Sequence, residues 1–401
     1  MSPASRGFQV FVKPAGAACN LACRYCYYLD RGISGSEIRA AGYGEAFPGF
    51  IREQPVHEPV PKRMSEDILE LYIAQHIAAS PDEIIRFSWH GGEPTLLGLD
   101  YFRTLVEIQR RLCPPDRKIV NGMQTNGTLL DDNWGRFLAA EGFSVGLSLD
   151  GPRNLHDRHR LTRNGRSTFA EAMRGWDVLQ RHGVPADVLC VVSAANVTRP
   201  LDVYGFFREI GASYVTFLPL VIADSSSSSG ASGDSVPPEA WGDFLCAVFD
   251  EWQSRDIGRI KVQIIEEAAR IAFGQEHSLC IFRPVCGDIP VVERNGDFYS
   301  CDHYVDAEHR VGNIRETPLL SLLESPAQRA FGAAKLEKLP MICRSCDVLA
   351  MCNGECPKNR FIRAPDGEPG LNYLCAGYRR FFRHVRPFVD AVADVWTRQK
   401  T

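Results

Sequence analysis

Three cysteines near the N-terminus carry the strongest chemical signal in the chain. Cys19, Cys23 and Cys26 are spaced C-x3-C-x2-C and follow an apolar segment that is typical of a β-strand. Three thiolates can ligate three irons of a [4Fe–4S] cluster, whereas electron-transfer clusters normally take four. The fourth iron then keeps an open position for a substrate, as catalytic zinc does. A zinc knuckle or a set of unrelated thiols is the alternative.

Eight further cysteines form a second group toward the C-terminus. They are Cys280, Cys286, Cys301, Cys343, Cys346, Cys352, Cys356 and Cys375. Eight thiolates are enough for two fully ligated iron–sulfur clusters. Two zinc sites remain the alternative, because four-cysteine zinc sites use similar spacings.

The composition describes an ordinary globular protein. The chain has 401 residues, of which 45% are hydrophobic and 23% charged, which suits two or three domains. With a net charge of −4, the chain lacks the excess of positive charge that is typical of proteins that bind nucleic acid or an anionic membrane. Since neither a membrane span nor a signal-peptide pattern is visible, we expect a cytoplasmic protein. Thiols stay reduced in that compartment, which argues against disulfides among the fourteen cysteines.

The first half of the chain alternates apolar strands with amphipathic helices. The strand candidates are Gln9–Val12, Ile84–Trp89, Lys118–Asn121, Ser144–Leu149, Asp187–Val192 and Tyr214–Leu220. Strands separated by helices imply parallel pairing with right-handed crossovers. The pattern predicts an α/β fold, a partial (β/α)6 TIM-like barrel with ligands at the C-terminal ends of its strands.

Local signals place further elements. An apolar stripe predicts a helix over Ser65–Ala79, and Asp131 is a candidate N-cap for the helix that follows it. Later in the chain, VVERNGDFYSC is typical of a β-hairpin in which Asn295 and Gly296 supply two turn positions with φ > 0. This hairpin would present Asp302 just beyond its second strand.

Changes in composition divide the chain into four segments. We expect a barrel over 1–223, a serine-rich loop with bridging helices over 224–279, a cysteine-rich domain over 280–375 and a C-terminal helix over 376–401. Residues 31–62 read as an insertion after the cysteine loop. The stretch 224–234 has low complexity, which predicts a flexible linker or mobile loop.

Polar residues and glycines lie at or just after the ends of three of the predicted strands, at the edge where ligands are expected. They are His90, Gly91, Gly92, Glu93, Asn126 and Ser148. Two glycines would let a charged ligand approach the backbone, and Glu93 can accept hydrogen bonds from an ammonium group. Capping of strand ends by turn residues is the alternative.

Seven segments, taken in order, resemble the anaerobic sulfatase-maturating enzymes. They are CNLACRYCYY, GGEPTLLGL, QTNGTLLDD, SLDGP, CDHYV, RVGNI and CRSCDVLAMCNGEC, so the resemblance covers essentially the full length. These enzymes are radical S-adenosylmethionine enzymes with a C-terminal SPASM domain. In that superfamily the open iron chelates S-adenosylmethionine, and the reduced cluster cleaves it to a 5′-deoxyadenosyl radical. The resemblance implies conversion of a cysteine or serine of a sulfatase into Cα-formylglycine.

The resemblance also implies three [4Fe–4S] clusters. Besides the N-terminal cluster, two auxiliary clusters would have interleaved ligands. One would use Cys280, Cys286, Cys301 and Cys356, and the other Cys343, Cys346, Cys352 and Cys375.

Residue roles follow from the same matching. Contacts to S-adenosylmethionine would fall at Tyr25, Gly92, Ser148, Arg160 and Val221. Asp302 would be the proton acceptor, with a hydrogen-bonded hairpin-end residue as the alternative, and Tyr28 would lie near the substrate. An electron donor such as flavodoxin or ferredoxin is the implied partner.

Two positions depart from the family pattern. His90 stands where these enzymes often carry glutamine, and His303 replaces a usual aromatic residue. Both flank expected site residues, so they could indicate a different peptide substrate; solvent-facing loop histidines are the alternative. Two other functions stay open: a SPASM maturase that cross-links a ribosomally made peptide, and an iron–sulfur or zinc scaffold without catalysis.

Overall fold

The computed structural model describes residues 3–28 and 62–400, with side chains to residue 398. The expected insertion over 31–62 therefore lies outside the described residues except for Lys62. The strands of the described part are β1 (Phe11–Lys13), β2 (Ile84–Trp89), β3 (Lys118–Thr125), β4 (Ser144–Ser148), β5 (Ala186–Val192), β6 (Tyr214–Pro219), β7 (Lys261–Val262), β8 (Val291–Glu293), β9 (Asp297–Tyr299), β10 (Arg310–Asn313), β11 (Ile362–Arg363) and β12 (Pro369–Leu371). The six predicted strands are β1 to β6, and β3 extends beyond its predicted end.

Helices separate most of these strands. They are α1 (Glu66–Ala79), α2 (Gly98–Leu112), α3 (Asp132–Ala140), α4 (Arg153–His156), α5 (Phe169–Arg181), α6 (Pro200–Glu209), α7 (Pro238–Arg255), α8 (Gln263–Ala272), α9 (Leu319–Leu323), α10 (Pro326–Glu337), α11 (Met341–Arg344), α12 (Leu349–Cys352) and α13 (Cys375–Lys400). Short 3₁₀ helices cover Pro94–Leu97, Ala307–His309 and Pro357–Asn359. Within the described part, no helix combines the length and apolarity needed to cross a membrane.

The chain divides into two compact units. The first unit comprises the described residues of Met1–Ser148 with His159–Ala186 and Gly287–Phe331. Its strands lie in the order β10-β9-β8-β1-β2-β3-β4. Strands β8, β1, β2, β3 and β4 run parallel, and β9 is antiparallel to both of its neighbours. The parallel strands bring their C-terminal ends to one edge of the sheet, which is where α/β folds bind ligands.

The core of the first unit forms where α1 packs on the sheet. The predicted apolar stripe of α1 is buried, and its Tyr72 ring meets the rings of Phe87 and Trp89 edge-on at centroid distances of 5.9 and 6.2 Å. Burial of each such side chain stabilises the fold by roughly 1.5–3 kcal/mol. Asp131 caps α3 as predicted, accepting a hydrogen bond from Trp134 N at 3.0 Å.

The β8–β9 hairpin is present, but its turn differs from the prediction. Glu293 O accepts a hydrogen bond from Gly296 N at 2.8 Å, and Gly296 has a φ of 87°. Asn295 does not adopt a positive φ, so the expected pair of left-handed residues is wrong. The three-residue loop is instead a turn followed by one left-handed glycine, which suits a hairpin loop of this length. The loop that leaves β9 carries Cys301 and Asp302, as predicted.

The second unit comprises Leu149–Arg158, Asp187–Cys286 and Gly332–Thr401. Its strands β5, β6 and β7 pair in parallel. The serine-rich stretch, expected to be flexible, closes on itself: Asp224 N donates to Gly230 O at 2.8 Å, and Ala223 and Ala231 form an antiparallel bridge. The C-terminal helix begins at Cys375 itself.

Candidate active site

The three N-terminal cysteines lie on the loop that follows β1. Cys26 N donates to Cys23 O at 3.0 Å, and Leu21 N donates to Cys19 Sγ at 3.4 Å. All three thiols are half-buried. Burial raises the pKa of Cys19 to about 11, and the bond from Leu21 offsets part of this rise. A bound iron would remove the proton, because thiols that coordinate metals are deprotonated, so the loop fits an iron–sulfur site.

The residues that follow β2 pack against the cysteine loop through backbone hydrogen bonds. Gly92 N donates to Gly16 O at 2.7 Å, and Glu93 N donates to Ala18 O at 2.8 Å. A Cβ at Gly92 would stand 2.1 Å from Ala18 O, so any larger residue would push the cysteine loop away. Close packing of two loops is therefore one reason for glycine here.

Glu93 is fully buried and saturated with hydrogen bonds. Its Oε1 accepts from the backbone N and Oγ1 of Thr95 at 3.0 and 2.6 Å and from Thr125 Oγ1 at 2.7 Å. Its Oε2 accepts from Asn126 N at 2.8 Å. Burial raises the pKa of Glu93, while the hydrogen bonds lower it in part. The carboxylate thus joins the residues that follow β2 to the end of β3.

Amide side chains continue this network to the cysteine loop. Asn126 Nδ2 donates to Asn20 Oδ1 at 2.9 Å, and Asn20 Nδ2 donates to Thr128 Oγ1 at 2.8 Å. Beside them, Gln124 Nε2 donates to Ser148 Oγ at 3.0 Å across the ends of β3 and β4. The expected residues Asn126 and Ser148 therefore both lie at the C-terminal edge of the sheet.

Tyr25 and Arg160 lie together because residues 159–162 run alongside the cysteine loop. Arg24 N donates to His159 O at 3.0 Å, and Leu21 pairs with Thr162 in an antiparallel bridge. The Arg160 guanidinium stands 5.4 Å from the centre of the Tyr25 ring and is buried. Val221, the remaining expected contact, belongs to the second unit, where it is buried.

Asp302 is bound by a cation and a phenol. Its carboxylate forms an ion pair with Lys13 at the end of β1 and accepts a hydrogen bond from Tyr27 Oη. Lys13 is only 2% exposed. Burial raises the pKa of Asp302, but the charges of Lys13 and His303 and the hydrogen bonds from Lys13 and Tyr27 outweigh it. The pKa lies well below its ordinary value, so Asp302 is ionised at neutral pH.

Tyr28 lies on the other side of the same lysine. The Lys13 ammonium stands 3.6 Å from the centre of the Tyr28 ring, and Tyr28 Oη donates to the Glu293 carboxylate. Lys13 and Glu293 are paired in register across β1 and β8, which brings the three groups together. Burial raises the pKa of both Tyr28 and Glu293.

Two histidines border this cluster. His90 stacks on Phe11 with ring centroids 3.9 Å apart. The rings of His303 and Tyr27 form a T-shaped contact with centroids 5.3 Å apart. Burial lowers the pKa of His90 to about 4, so its imidazole is neutral at physiological pH. Neither histidine is a freely exposed loop residue.

The sequence patterns do not single out Lys13, Tyr27 or Glu293. Tyr27 directly follows Cys26. Lys13 ends the strand before the cysteines, and Glu293 ends the first strand of the hairpin. A charged residue at the end of an apolar parallel strand is the signal that could have found both, because such strand ends meet at one edge.

Four of the C-terminal cysteines line one cavity in the second unit. Its lining includes Cys343, Cys346, Cys352 and Cys375, with Tyr378 and Arg379. Burial raises the pKa of Cys343 to about 11, and the neighbouring Cys375 and Cys346 raise it further. These grouped thiols resist ionisation when no metal is bound. They therefore fit a site that iron completes, because the positive charge of iron would stabilise the thiolates.

A second group lies in the same unit. Burial raises the pKa of Cys280 to about 11, Lys335 opposes this, and the neighbouring Cys286 adds to it. The pKa of Cys356 is raised to about 12 by burial, then by Glu355 and, less strongly, by Cys280. Cys301 belongs to the first unit. Among residues 3–28 and 62–400, no three His, Cys, Asp or Glu side chains converge closely enough to hold a single metal ion.

Family models match both parts of the chain. The radical SAM superfamily matches residues 14–197, and the SPASM iron–sulfur cluster-binding domain matches residues 286–347. The fold and the site thus define a radical S-adenosylmethionine enzyme with a barrel-like parallel sheet and a SPASM domain, as expected.

Similarities to individual proteins identify the family within this class. The serine-type anaerobic sulfatase-maturating enzyme of Bacteroides thetaiotaomicron is 40% identical, over 97% of this chain and 92% of that protein. The cysteine-type enzyme of Clostridium perfringens (strain 13 / Type A) is 29% identical, over 96% of this chain and 98% of that protein. The structure of native anSMEcpe with bound AdoMet and Cp18Cys peptide matches with a TM-score of 0.82 at 28% identity, covering 97% of this chain and 99% of that one. The chain belongs to the anaerobic sulfatase-maturating enzymes.

Proposed function

We propose that this enzyme oxidises a serine or cysteine side chain of a sulfatase-type peptide to Cα-formylglycine. One observation carries the proposal: Tyr27, which directly follows Cys26, donates a hydrogen bond to Asp302. This bond places an ionised carboxylate beside the loop of the three-cysteine motif. A radical produced at that loop and a base would then act on neighbouring atoms of one substrate side chain, the radical on Cβ and the base on the heteroatom.

The oxidation removes a hydrogen atom from Cβ, a proton from the heteroatom and one electron. Serine yields the aldehyde directly, and cysteine yields a thioaldehyde that water converts to the aldehyde with release of hydrogen sulfide. When bound, S-adenosylmethionine with its cluster supplies the radical that takes the hydrogen atom, and an auxiliary cluster supplies an electron acceptor. Asp302 takes the proton.

The surroundings of Asp302 hold its carboxylate ionised and oriented. Its low pKa keeps the carboxylate ionised, and Lys13 and Tyr27 fix its orientation. His90 is neutral and adds no second cation. We assign His90 and Tyr28 to contact with the substrate.

We assign Cys19, Cys23 and Cys26 to the cluster that binds S-adenosylmethionine, and the cofactor contacts to the sheet edge beside them. The contact residues are Tyr25, Gly91, Gly92, Glu93, Asn126, Ser148, Arg160 and Val221. The adjacency of Tyr25 and Arg160 supports this assignment. For Glu93, its four hydrogen bonds favour a role in holding the loops rather than a first contact.

We further infer two auxiliary [4Fe–4S] clusters, which make three in all. The shared cavity supports the set Cys343, Cys346, Cys352 and Cys375. The mutual electrostatic influence of Cys280, Cys286 and Cys356 supports the other set, with Cys301 as the fourth ligand. An electron donor such as flavodoxin or ferredoxin and a cytoplasmic location complete the proposal.

Serine is the side chain that the comparisons favour. Identity is 40% to the serine-type enzyme and 29% to the cysteine-type enzyme, at similar coverage. Two peptides that differ in this one residue would separate the substrates: mass spectrometry should show losses of about 2 Da from serine and about 18 Da from cysteine. We expect the serine peptide to react faster.

The control is the Cys19→Ala variant, which should give neither deoxyadenosine nor product. A loss of about 2 Da also arises when two hydrogens leave on cross-linking, because one new bond replaces two bonds to hydrogen. Reaction of the product with a hydrazine reagent distinguishes these outcomes. Deoxyadenosine formation with a product that does not react with hydrazine would overturn the formylglycine proposal.

A further inference from the structure

Lys335 is a buried lysine whose ammonium is bound by backbone carbonyl groups. The residue is 1% exposed, and its Nζ donates to the carbonyl oxygens of Cys280 and Ile281 at 2.7 Å each. Throughout the described residues, no ion pair joins this ammonium to a carboxylate within 4.0 Å. A buried ammonium is costly unless negative charge lies close to it. Negative charge near Lys335 would therefore stabilise the ammonium.

Glu355 is a buried acidic side chain that Lys335 influences electrostatically, but its hydrogen bonds go to other residues. Its Oε2 accepts hydrogen bonds from Asn359 Nδ2 at 3.0 Å and Asn372 Nδ2 at 2.6 Å. Two cysteines lie beside this lysine: Cys280 O accepts a hydrogen bond from its Nζ at 2.7 Å, and Cys286 N donates to Gly332 O, one turn earlier on the same helix, at 3.3 Å. Both cysteines are assigned to one auxiliary cluster. A cluster held by thiolates carries net negative charge, so it would be the missing counter-charge.

Hydrogen bonds from the Arg360 side chain hold the backbone of Lys335 in place. The Arg360 guanidinium donates to Lys335 O at 2.6 Å and to the carbonyl oxygens of Asn353 and Gly354 at 2.8 Å each. Residues 353–355 have consecutive φ values of 47°, 69° and 51°, which is costly for the two residues other than glycine. This strained turn links Cys352 to Cys356. Arg360 thus ties the backbone of Lys335 to the turn that presents Cys356.

We propose that Lys335 sets the reduction potential of the auxiliary cluster held by Cys280, Cys286 and Cys356. It is a positioning residue in this proposal, which rests on the proposed cluster ligands. Reduction adds one negative charge to the cluster, and a fixed cation close by stabilises the reduced form more than the oxidised form. The lysine therefore raises the potential and makes this cluster the better electron acceptor for an oxidation of the substrate.

The test measures cluster potentials in full-length, anaerobically reconstituted protein. Replacing Cys19, Cys23 and Cys26 by Ala first leaves the signals of the auxiliary clusters alone. In that background, Lys335→Met removes the charge at similar side-chain length. Redox titration followed by electron paramagnetic resonance should show one auxiliary cluster harder to reduce by at least tenfold in its equilibrium constant, about 59 mV for one electron.

The matched control is Lys338→Met, because Lys338 is an exposed lysine just beyond the same helix. It should leave both potentials unchanged, and Lys335→Arg should retain the wild-type value. Unchanged potentials in Lys335→Met at full iron content, or an equal shift in Lys338→Met, would overturn the proposal.

A second neutral variant distinguishes an effect on the reduction potential from loss of the cluster. Lys335→Gln keeps a hydrogen-bond donor for the two carbonyl groups and should lower the potential as Lys335→Met does. If neither neutral variant retains iron while Lys335→Arg does, the charge serves cluster assembly and the assignment to potential is overturned. No peptide enters these measurements, so a failure to make formylglycine leaves the result standing.

Discussion

Lys13 shows how one residue organises the site. Its ammonium contacts the Asp302 carboxylate and the face of the Tyr28 ring, and it is almost fully buried. A buried ion pair is a weak source of net stability, because desolvation offsets the attraction. Its value here is orientation, since the pair fixes the carboxylate beside the cysteine loop.

Asp302→Asn should separate radical formation from product formation. The amide keeps the shape of the side chain but cannot take a proton, and loss of a general base typically costs about 10²–10⁴-fold in rate. The variant should still form deoxyadenosine in the presence of peptide, with little aldehyde. The nearby exposed Glu308 gives a control, Glu308→Gln, that should behave as wild type. Full aldehyde yield from Asp302→Asn would reduce Asp302 to a structural residue.

Lys13→Met should change how product formation depends on pH. In the wild type, Lys13 is the largest influence that lowers the pKa of Asp302, while burial raises it. Without the lysine this pKa rises, so the carboxylate becomes protonated as the pH falls. Aldehyde formed per deoxyadenosine should then fall as the pH is lowered in the variant, at pH values where the wild type stays flat. Parallel profiles, or the same change in the exposed control Lys118→Met, would contradict this assignment.

At the scale of elements, the site depends on two loops that touch backbone to backbone. The loop after β1 carries the cysteines, and the loop after β2 packs on it through Gly92 and Glu93. Glu93 then joins this pair to the end of β3. The three strand ends therefore act as one support for the cysteine loop.

Gly92→Ala tests that support. The new methyl group would stand 2.1 Å from Ala18 O, and the clash is with backbone rather than with a flexible side chain. Overpacking of this kind costs typically about 1–3 kcal/mol and here displaces the cysteine loop. We expect loss of about four irons, those of the N-terminal cluster, by iron analysis. Gly205→Ala, where a Cβ meets open space, should keep the full content.

At the scale of the whole molecule, the cysteines are divided between the two units. The first unit contains Cys19, Cys23, Cys26 and Cys301, and the second contains Cys280, Cys286 and the cysteines from Cys343 onward. The expected set around Cys343 lies within the second unit.

Iron analysis of the 401-residue chain tests these groups of cysteines. Eleven cysteines should support about twelve irons and twelve sulfides, and the triple variant with Ala at 19, 23 and 26 about eight of each. Cys301→Ala should weaken one auxiliary cluster and leave the other intact. Cys113→Ala is the matched control, since Cys113 lies outside every group. Zinc in place of iron at the C-terminal cysteines would contradict the cluster assignment.

The sequence alone determined the class of enzyme, because its signals are local. Cys19, Cys23 and Cys26 form a motif within eight residues, and strand–helix alternation can be read from apolar periodicity. The hairpin that presents Asp302 was also predictable, because it joins neighbouring strands. Its turn was predicted incorrectly at Asn295, since short turns of different type share the same residues.

The tertiary structure alone decided which charges meet. Lys13 and Glu293 are far apart in the chain, and only the register of β1 against β8 places them side by side. The sequence pattern likewise does not predict that Glu93 and Lys335 are buried. Charged residues are mostly exposed, so their burial becomes known only when their neighbours in the fold are known. These contacts depend on how strand ends and turns converge, and that convergence is a property of packing rather than of any local pattern.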